Sequence, residues 1–154
     1  MEQVRASDIA AQLDPGATPL LRADQGPVAV LTLNRPEARN CLSEDLLAAL
    51  HAAIAEIGGS DAIRAIVITG AGSAFSSGHD LKELSSHRSD PDRGKAYFAK
   101  IMDACSRMML SIVRSPKPVI AAVNGIATAA GCQLAATCDL AVASQDARFA
   151  TPGV

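Results

Sequence analysis

From residue 20 onward, short apolar runs alternate with longer stretches in which apolar residues return every three or four positions. Leu20 to Arg22 and Val28 to Leu33 predict two strands around a turn at Gln25-Gly26-Pro27. The polar loop NRPEARN follows. Ser43 is then a favourable helix N-cap, since its hydroxyl can accept an orphan N–H of the first turn, and Glu44 and Asp45 sit where the helix dipole favours negative charge. Leu47, Leu50, Ile54 and Ile57 recur at helical spacing until Gly58-Gly59 stops the helix. AIVIT, Ala65 to Thr69, is a β-branched run too short for a helix and predicts a buried strand. The loop GAGSAFSSGHD leads to a short helix near Leu81 to Leu84. SSHRSDPDRG is polar and predicts a mobile, solvated loop, with a lid over a ligand as the functional alternative. Gly94 to Val113 reads as a long helix with Phe98, Ile101, Met102, Cys105, Met109 and Ile112 on one face, ended by Pro116 and Pro118. VIAAV, Val119 to Val123, predicts another buried strand. NGIATAAG enters a helix through Leu134 and Ala136, and Leu140 to Ala143 predicts a last strand.

This order is an α/β alternation. Residues 1–18 read as a loose leader and 19–154 as one core. The chain has 154 residues, 49 % hydrophobic and 19 % charged, which excludes a disordered class. Its 14 basic and 16 acidic residues give a net charge of −2. That balance, with one Tyr, three Phe and no Trp, offers neither a basic footprint nor stacking platforms for nucleic acid. No apolar run spans a bilayer and no basic cluster suits a membrane surface. The segment MEQVRASDIAAQLDPGATP has no apolar secretory core, and Glu2 and Asp8 are unlike an Arg-rich transit peptide. Cys41, Cys105, Cys132 and Cys138 form no CxxC pair, and the three histidines form no metal-ligand spacing, so reduced thiols and no zinc are expected.

AIVITGAGSAFSSGHDLKEL and VIAAVNGIATAAGCQL share one design: a buried strand, a loop of small residues, then a helix start. Small side chains let a ligand approach the backbone, and free N–H groups at a helix start favour negative charge. Two such donors converging from different loops would bind a developing oxyanion. The same junctions also occur in α/β proteins merely for packing. GAGSAF misses the dinucleotide fingerprint, because Phe75 stands where close packing needs the third glycine. A nucleophile elbow GxSxG and a phosphate loop ending in GK[ST] are absent.

The segments LNRPEARNCLS at 33–43, ITGAGSAFSSGHDLKEL at 68–84, KPVIAAVNGIATAAGCQLAATCDLAVAS at 117–144 and RFATP at 148–152 resemble the enoyl-CoA hydratase/isomerase (crotonase) superfamily. FSSGHDLKEL, ATAAGCQL and FATPGV resemble its branch of the enoyl-CoA hydratase domain-containing protein 3 type. The resemblance implies a spiral of strand–strand–helix units, a homotrimer or dimer of trimers, and a lyase or isomerase of fatty acid metabolism. It implies an acyl-CoA thioester as partner, coenzyme A arriving as part of the substrate and no tightly bound cofactor. It places oxyanion donors at the amides of His79 and Ala130. Coenzyme A contacts map to Ala38 and to backbone around Ser77, Asp80 and Leu81, with Asp80 bracing its loop. A cytoplasmic location is expected, with the mitochondrial matrix as the alternative. The resemblance further implies that a second half of the fold is missing from this chain.

Departures from the family pattern narrow the chemistry. The two hydratase glutamates map to Gln133 and Gly153. An amide does not titrate near neutral pH and glycine has no side chain, so efficient water addition is not expected. Reactions that need only enolate stabilisation, such as decarboxylation or thioester cleavage, fit better. A non-catalytic acyl-CoA-binding pseudoenzyme or an oligomer scaffold is the rival reading. The loop glycine pair becomes Ala129 and Ala130, which strains the backbone if the native dihedral is left-handed. His79 could replace the missing acid–base group, or serve through its backbone alone. Gln133 could orient a water or a carbonyl, or merely face the pocket. Cys132 and Cys138 read as small buried residues, His51 and His87 as surface residues, and Met108-Met109 as core.

Overall fold

The computed structural model describes residues 18–152. Gly153 and nearly all of the expected leader lie outside the described residues. Eight strands and four helices follow in the order β1 (Leu20–Gln25), β2 (Val28–Leu33), α1 (Glu44–Gly58), β3 (Ala65–Gly70), β4 (Ala74–Ser76), α2 (Leu81–Ser86), α3 (Lys95–Val113), β5 (Val119–Val123), β6 (Ile126–Thr128), α4 (Ala130–Thr137), β7 (Leu140–Ala143) and β8 (Arg148–Ala150). Short 3₁₀ turns stand at Pro36–Ala38 and His87–Ser89.

Two sheets form. The larger has the order β1-β2-β3-β5-β7 and is parallel except for the β1–β2 hairpin. The smaller, β4-β6-β8, is parallel throughout. Three strands of the larger sheet are thus each followed by a short strand of the smaller one: β3 by β4, β5 by β6, β7 by β8. This is the strand–strand–helix repeat of the crotonase-like α/β fold.

The core follows from the sequence periods. Ala29, Leu31 and Leu33 of β2, Ile66 and Ile68 of β3, and Val119, Ala121 and Val123 of β5 point to one side and are fully buried. Leu46, Leu47, Leu50, Ile54 and Ile57 of α1, and Ile101, Cys105, Met108, Met109 and Ile112 of α3, join them in one cluster. Each large apolar side chain so buried contributes about 1.5–3 kcal/mol relative to exposure. Ser43 caps α1 as expected, its Oγ accepting the Leu46 N–H at 3.2 Å.

Several sequence expectations need correction. Phe98 faces solvent at 53 % exposure, one position beside the buried stripe of α3. The loops GAGSAFSSGHD and NGIATAAG, and the segment RFA, each contain a three-residue strand. The polar stretch after α2 carries a 3₁₀ turn, with His87 half-buried and stacked on Tyr97 at 3.7 Å between ring centres. β7 was expected as a strand like its neighbours, yet all four of its residues are exposed.

The small sheet needs a very close approach at its helix. A Cβ on Gly131, in the first turn of α4, would stand 2.2 Å from the Ser76 carbonyl oxygen of β4. Gly131→Ala must force β4 and α4 apart. Thermal or urea unfolding should show a loss of about 1–3 kcal/mol, the usual range for overpacking.

Candidate functional site

Three loops meet at the C-terminal ends of β2, β3 and β5. Two asparagine side chains join them, Asn40 buried and Asn124 half-buried. Asn40 accepts the Arg35 N–H at 2.9 Å through Oδ1 and donates through Nδ2 to the carbonyls of Ala71 at 2.9 Å and Ala74 at 2.8 Å. Asn124 accepts the Gly70 N–H at 3.1 Å and donates to the Gly72 carbonyl at 2.9 Å. Asn40 itself lies at φ 52°, a left-handed conformation that asparagine tolerates better than most residues.

Residues 77–80 run beside residues 39–42 as a short parallel ladder. The Ser77 N–H donates to Arg39 O at 3.0 Å, the Leu42 N–H to Gly78 O at 2.7 Å, and the Asp80 N–H to Leu42 O at 3.2 Å. In an extended chain successive peptide groups point to opposite sides. The His79 N–H is thus turned away from residue 42, and among the described residues it has no acceptor. On the other side stands the start of α4. Ala130 is its first residue, so its N–H has no intrahelical partner. A Cβ on Gly78 would stand 3.2 Å from the Ala130 nitrogen and 2.9 Å from the Ala129 methyl. The two loops therefore touch at the positions singled out from sequence.

The strain anticipated at the alanine pair falls on Ala129 alone. Its φ of 50° and ψ of −124° are the dihedrals of a turn position that glycine normally occupies. Ala130 is helical.

Asp80 is buried and holds this loop. Its Oδ1 accepts the N–H groups of Lys82 at 3.0 Å and Glu83 at 3.3 Å, capping α2. Its Oδ2 takes the Arg35 guanidinium at 2.9 Å and the Cys41 thiol at 3.2 Å. Burial alone would raise this carboxyl's pKa. The hydrogen bonds from Arg35, Cys41 and the two amides outweigh burial and hold it below the usual range. Desolvation, with Asp80 as neighbour, pushes the Cys41 thiol up to about 11, so it stays protonated.

Two clefts open on either side of His79. One, of about 470 Å³, is lined by Ala38, Ser77, Asp80 and Leu81 together with Arg35, Glu37, Arg39, Cys41 and Lys82. The other, of about 320 Å³, is lined by Gln133 and Thr137 of α4 and by Met102, Cys105, Ser106, Met109, Leu110 and Val113 of α3. His79 belongs to both walls. Ala38, Ser77, Asp80 and Leu81 are thus brought together in one cleft, and Gln133 stands across the other from His79. Gln133 is solvent-exposed. Sequence reasoning missed Arg35, Arg39 and Lys82, although all three stand inside the quoted motifs. It also gave α3 a purely structural part, because a stripe of Met, Ile and Cys looks the same whether it faces core or cleft.

Cys132 and Cys138 are half-buried rather than fully buried, and burial raises Cys138 to about 12. That suits a packing role. Among the described residues no group of three or more His, Cys, Asp or Glu stands close enough to hold a metal ion, and no helix is long and apolar enough to cross a membrane.

The family model described as enoyl-CoA hydratase/isomerase matches residues 23–154. The chain belongs to the enoyl-CoA hydratase/isomerase family. It is 47 % identical over 124 residues to the human enoyl-CoA hydratase domain-containing protein 3, mitochondrial, covering 80 % of this chain and 39 % of that protein. It is 37 % identical over 131 residues to the short-chain-enoyl-CoA hydratase of Clostridium acetobutylicum, covering 84 % and 48 %. A crystal structure of an enoyl-CoA hydratase from Mycobacterium smegmatis superposes with a TM-score of 0.78 at 52 % identity, over 85 % of this chain and 49 % of that one. The chain thus spans about two fifths to one half of the relatives it matches.

Two outcomes follow from the site's geometry. Ala129→Gly removes a strained dihedral worth on the order of 1 kcal/mol or more, and should raise the melting temperature by about 2–4 °C in calorimetry. His79 has its pKa lowered by desolvation. The unfolded chain therefore binds a proton there more readily than the folded one. Stability should fall as pH drops below the ordinary histidine value of 6.5 and level off only below the lower folded value. Urea unfolding at several pH values should show a shallower acid-side loss in His79→Leu. An unchanged slope would remove His79 as its cause.

Proposed function

We propose that this protein processes an acyl-CoA thioester by binding its carbonyl oxygen between the His79 and Ala130 amides. The single observation that carries this reading is the contact of the Gly78–His79 loop with the first turn of α4, where two outward amides have no acceptor among the described residues. Such donors stabilise the charge that grows on the oxygen as an enolate or tetrahedral intermediate forms. One donor contributes on the order of 10²–10³ in rate.

The clefts support the two halves of the substrate. Arg35, Arg39 and Lys82 beside Ala38, Ser77 and Leu81 suit the phosphates of coenzyme A. Asp80 is already committed to Arg35 and to capping α2, so its part is bracing. The apolar cleft with Met102 and Met109 suits the acyl group, because flexible thioethers adapt to varied chains. Coenzyme A enters as part of the substrate. Of the two compartments expected from sequence, the mitochondrial one is that named for the human relative. A homotrimer or dimer of trimers remains our expected assembly.

With Gln133 and Gly153 at the glutamate positions, no carboxylate is available there to move a proton. Each missing acid–base group removes about 10²–10⁴ in rate. Decarboxylation or thioester cleavage, which ask chiefly for enolate or oxyanion stabilisation, fit better than hydration. The strained dihedral of Ala129, directly before the Ala130 donor, favours a second reading, an acyl-CoA-binding protein without turnover.

Calorimetric titration with coenzyme A thioesters and a crotonyl-CoA hydration assay test both. Binding is expected, with hydration at least about 10⁴-fold slower than in an ordinary hydratase. Turnover at the ordinary level would overturn the inference from the missing glutamates. Failure to bind any thioester would overturn the substrate assignment itself.

A further inference from the structure

α1 and α3 lie side by side and run in the same direction. Lys100 of α3 pairs with Glu44 at the start of α1, and at the other end a Cβ on Gly58 would stand 3.4 Å from the Pro116 ring just beyond α3. Along their solvent side the two helices leave hollows of about 260 and 310 Å³, which share His51 and Arg107 and so form one groove. Its apolar lining is Leu47 and Ala48 of α1 with Ala104 and Leu110 of α3. Leu110 is 41 % exposed, and it is the one lining residue shared with either cleft at His79.

The charge along this groove is periodic. Lys100, Arg107 and Arg114 all line it, seven residues apart, and so stand at nearly one angular position on α3 and its C-cap. Lys100 and Arg107 are held only by the part-exposed carboxylates of Glu44 and Asp103. Such surface pairs contribute little and exchange readily for others. Arg114 pairs with no carboxylate among the described residues. The row extends about 21 Å at 1.5 Å per residue. A ligand with one anionic head would meet one of these cations and leave the others unused. A partner whose own negative charge recurs every two helical turns would meet all three. The apolar lining beside the row calls for an apolar stripe next to that charge, and two alanines leave room for the side chains of a further helix.

We propose that the groove between α1 and α3 docks an amphipathic helix of another protein, with acidic residues at every seventh position beside an apolar stripe. This is the arrangement in which charges flanking a helical seam set partner choice. A second copy of this chain is not the occupant among the described residues. Its helices carry acids only at Glu44, Asp45, Glu56, Glu83 and Asp103, and no three of these recur at seven.

The test uses a fluorescent synthetic helix of about 22 residues, long enough to span the row, with leucines on one face and glutamate at every seventh position beside them. A second peptide has lysine in place of each of those glutamates. Anisotropy titrations would be run on the full chain and on the double variant Arg107→Glu, Arg114→Glu, whose altered side chains are exposed and leave the core intact. The native chain should bind the glutamate peptide at least about tenfold more tightly than the lysine peptide, and the double variant should reverse the order. Absence of binding by the glutamate peptide, equal affinity for the two peptides, or an order unchanged in the double variant would each overturn the proposal. So would binding to phosphatidylserine vesicles in place of the peptide, since that would make the row a lipid-facing surface.

Discussion

The site depends on a contact in which there is no space for one more carbon. Gly78 lies so close to the start of α4 that a Cβ there would press on the Ala129 methyl and the Ala130 nitrogen. Glycine at this point, with φ of 90°, adopts a left-handed turn that lets the chain pass this near the helix start. Everything proposed about the thioester follows from that approach. A larger residue at 78 would separate the two loops, and each amide alone would be an ordinary free N–H.

A contact between two loops is useful only if the loops are held. Here the holding is done by side chains that mimic backbone. Asn40 accepts the Arg35 N–H of its own loop and donates to the Ala71 and Ala74 carbonyls after β3, while Asn124 accepts the Gly70 N–H and donates to the Gly72 carbonyl. Asp80 adds a third tie, joining the start of α2 to Arg35. Apart from the exposed Asn124–Gly72 bond, these bonds are buried or half-buried, where losing a partner strands the other group. The amides of His79 and Ala130, without an acceptor among the described residues, thus sit on a frame whose other polar groups are largely paired.

The sequence made the long elements legible and the short ones invisible. α1 and α3 carry four or more apolar positions at helical spacing with clear stops, and β2, β3 and β5 are β-branched runs bounded by turn residues. β4, β6 and β8 are three residues each, rich in small or polar side chains, and three residues cannot display a period of two. They appear as strands only because each finds the others across the small sheet. The same limit applied to the site. The loop motifs and their resemblance gave Ala38, Ser77, His79, Asp80, Leu81 and Ala130. They could not reveal that α3 walls one cleft, since whether its stripe of Met, Cys and Ile faces core or cavity is decided by packing. Nor could they separate Ala129 from Ala130 as the strained residue, because that depends on which one begins the helix.

The strain at Ala129 and the replacement of both glutamates that the resemblance implies point the same way. A hydratase must place a water and move a proton, and both tasks need charged oxygens at fixed distances from the thioester. Around this site the acyl-side polar groups are neutral: an imidazole that burial keeps unprotonated, an amide at Gln133, and hydroxyls at Ser106 and Thr137. The amide and the hydroxyls can stabilise a charge that forms and disperses, but they cannot act as efficient proton carriers near neutral pH; of the groups just named only the imidazole can take up a proton there. The chemistry such a site supports best is one in which the substrate's own bonds supply the electrons and the protein supplies fixed donors. A helix start whose alanine tolerates an unfavourable dihedral still offers that donor, because the N–H of Ala130 is unaffected by the side chain one residue before it.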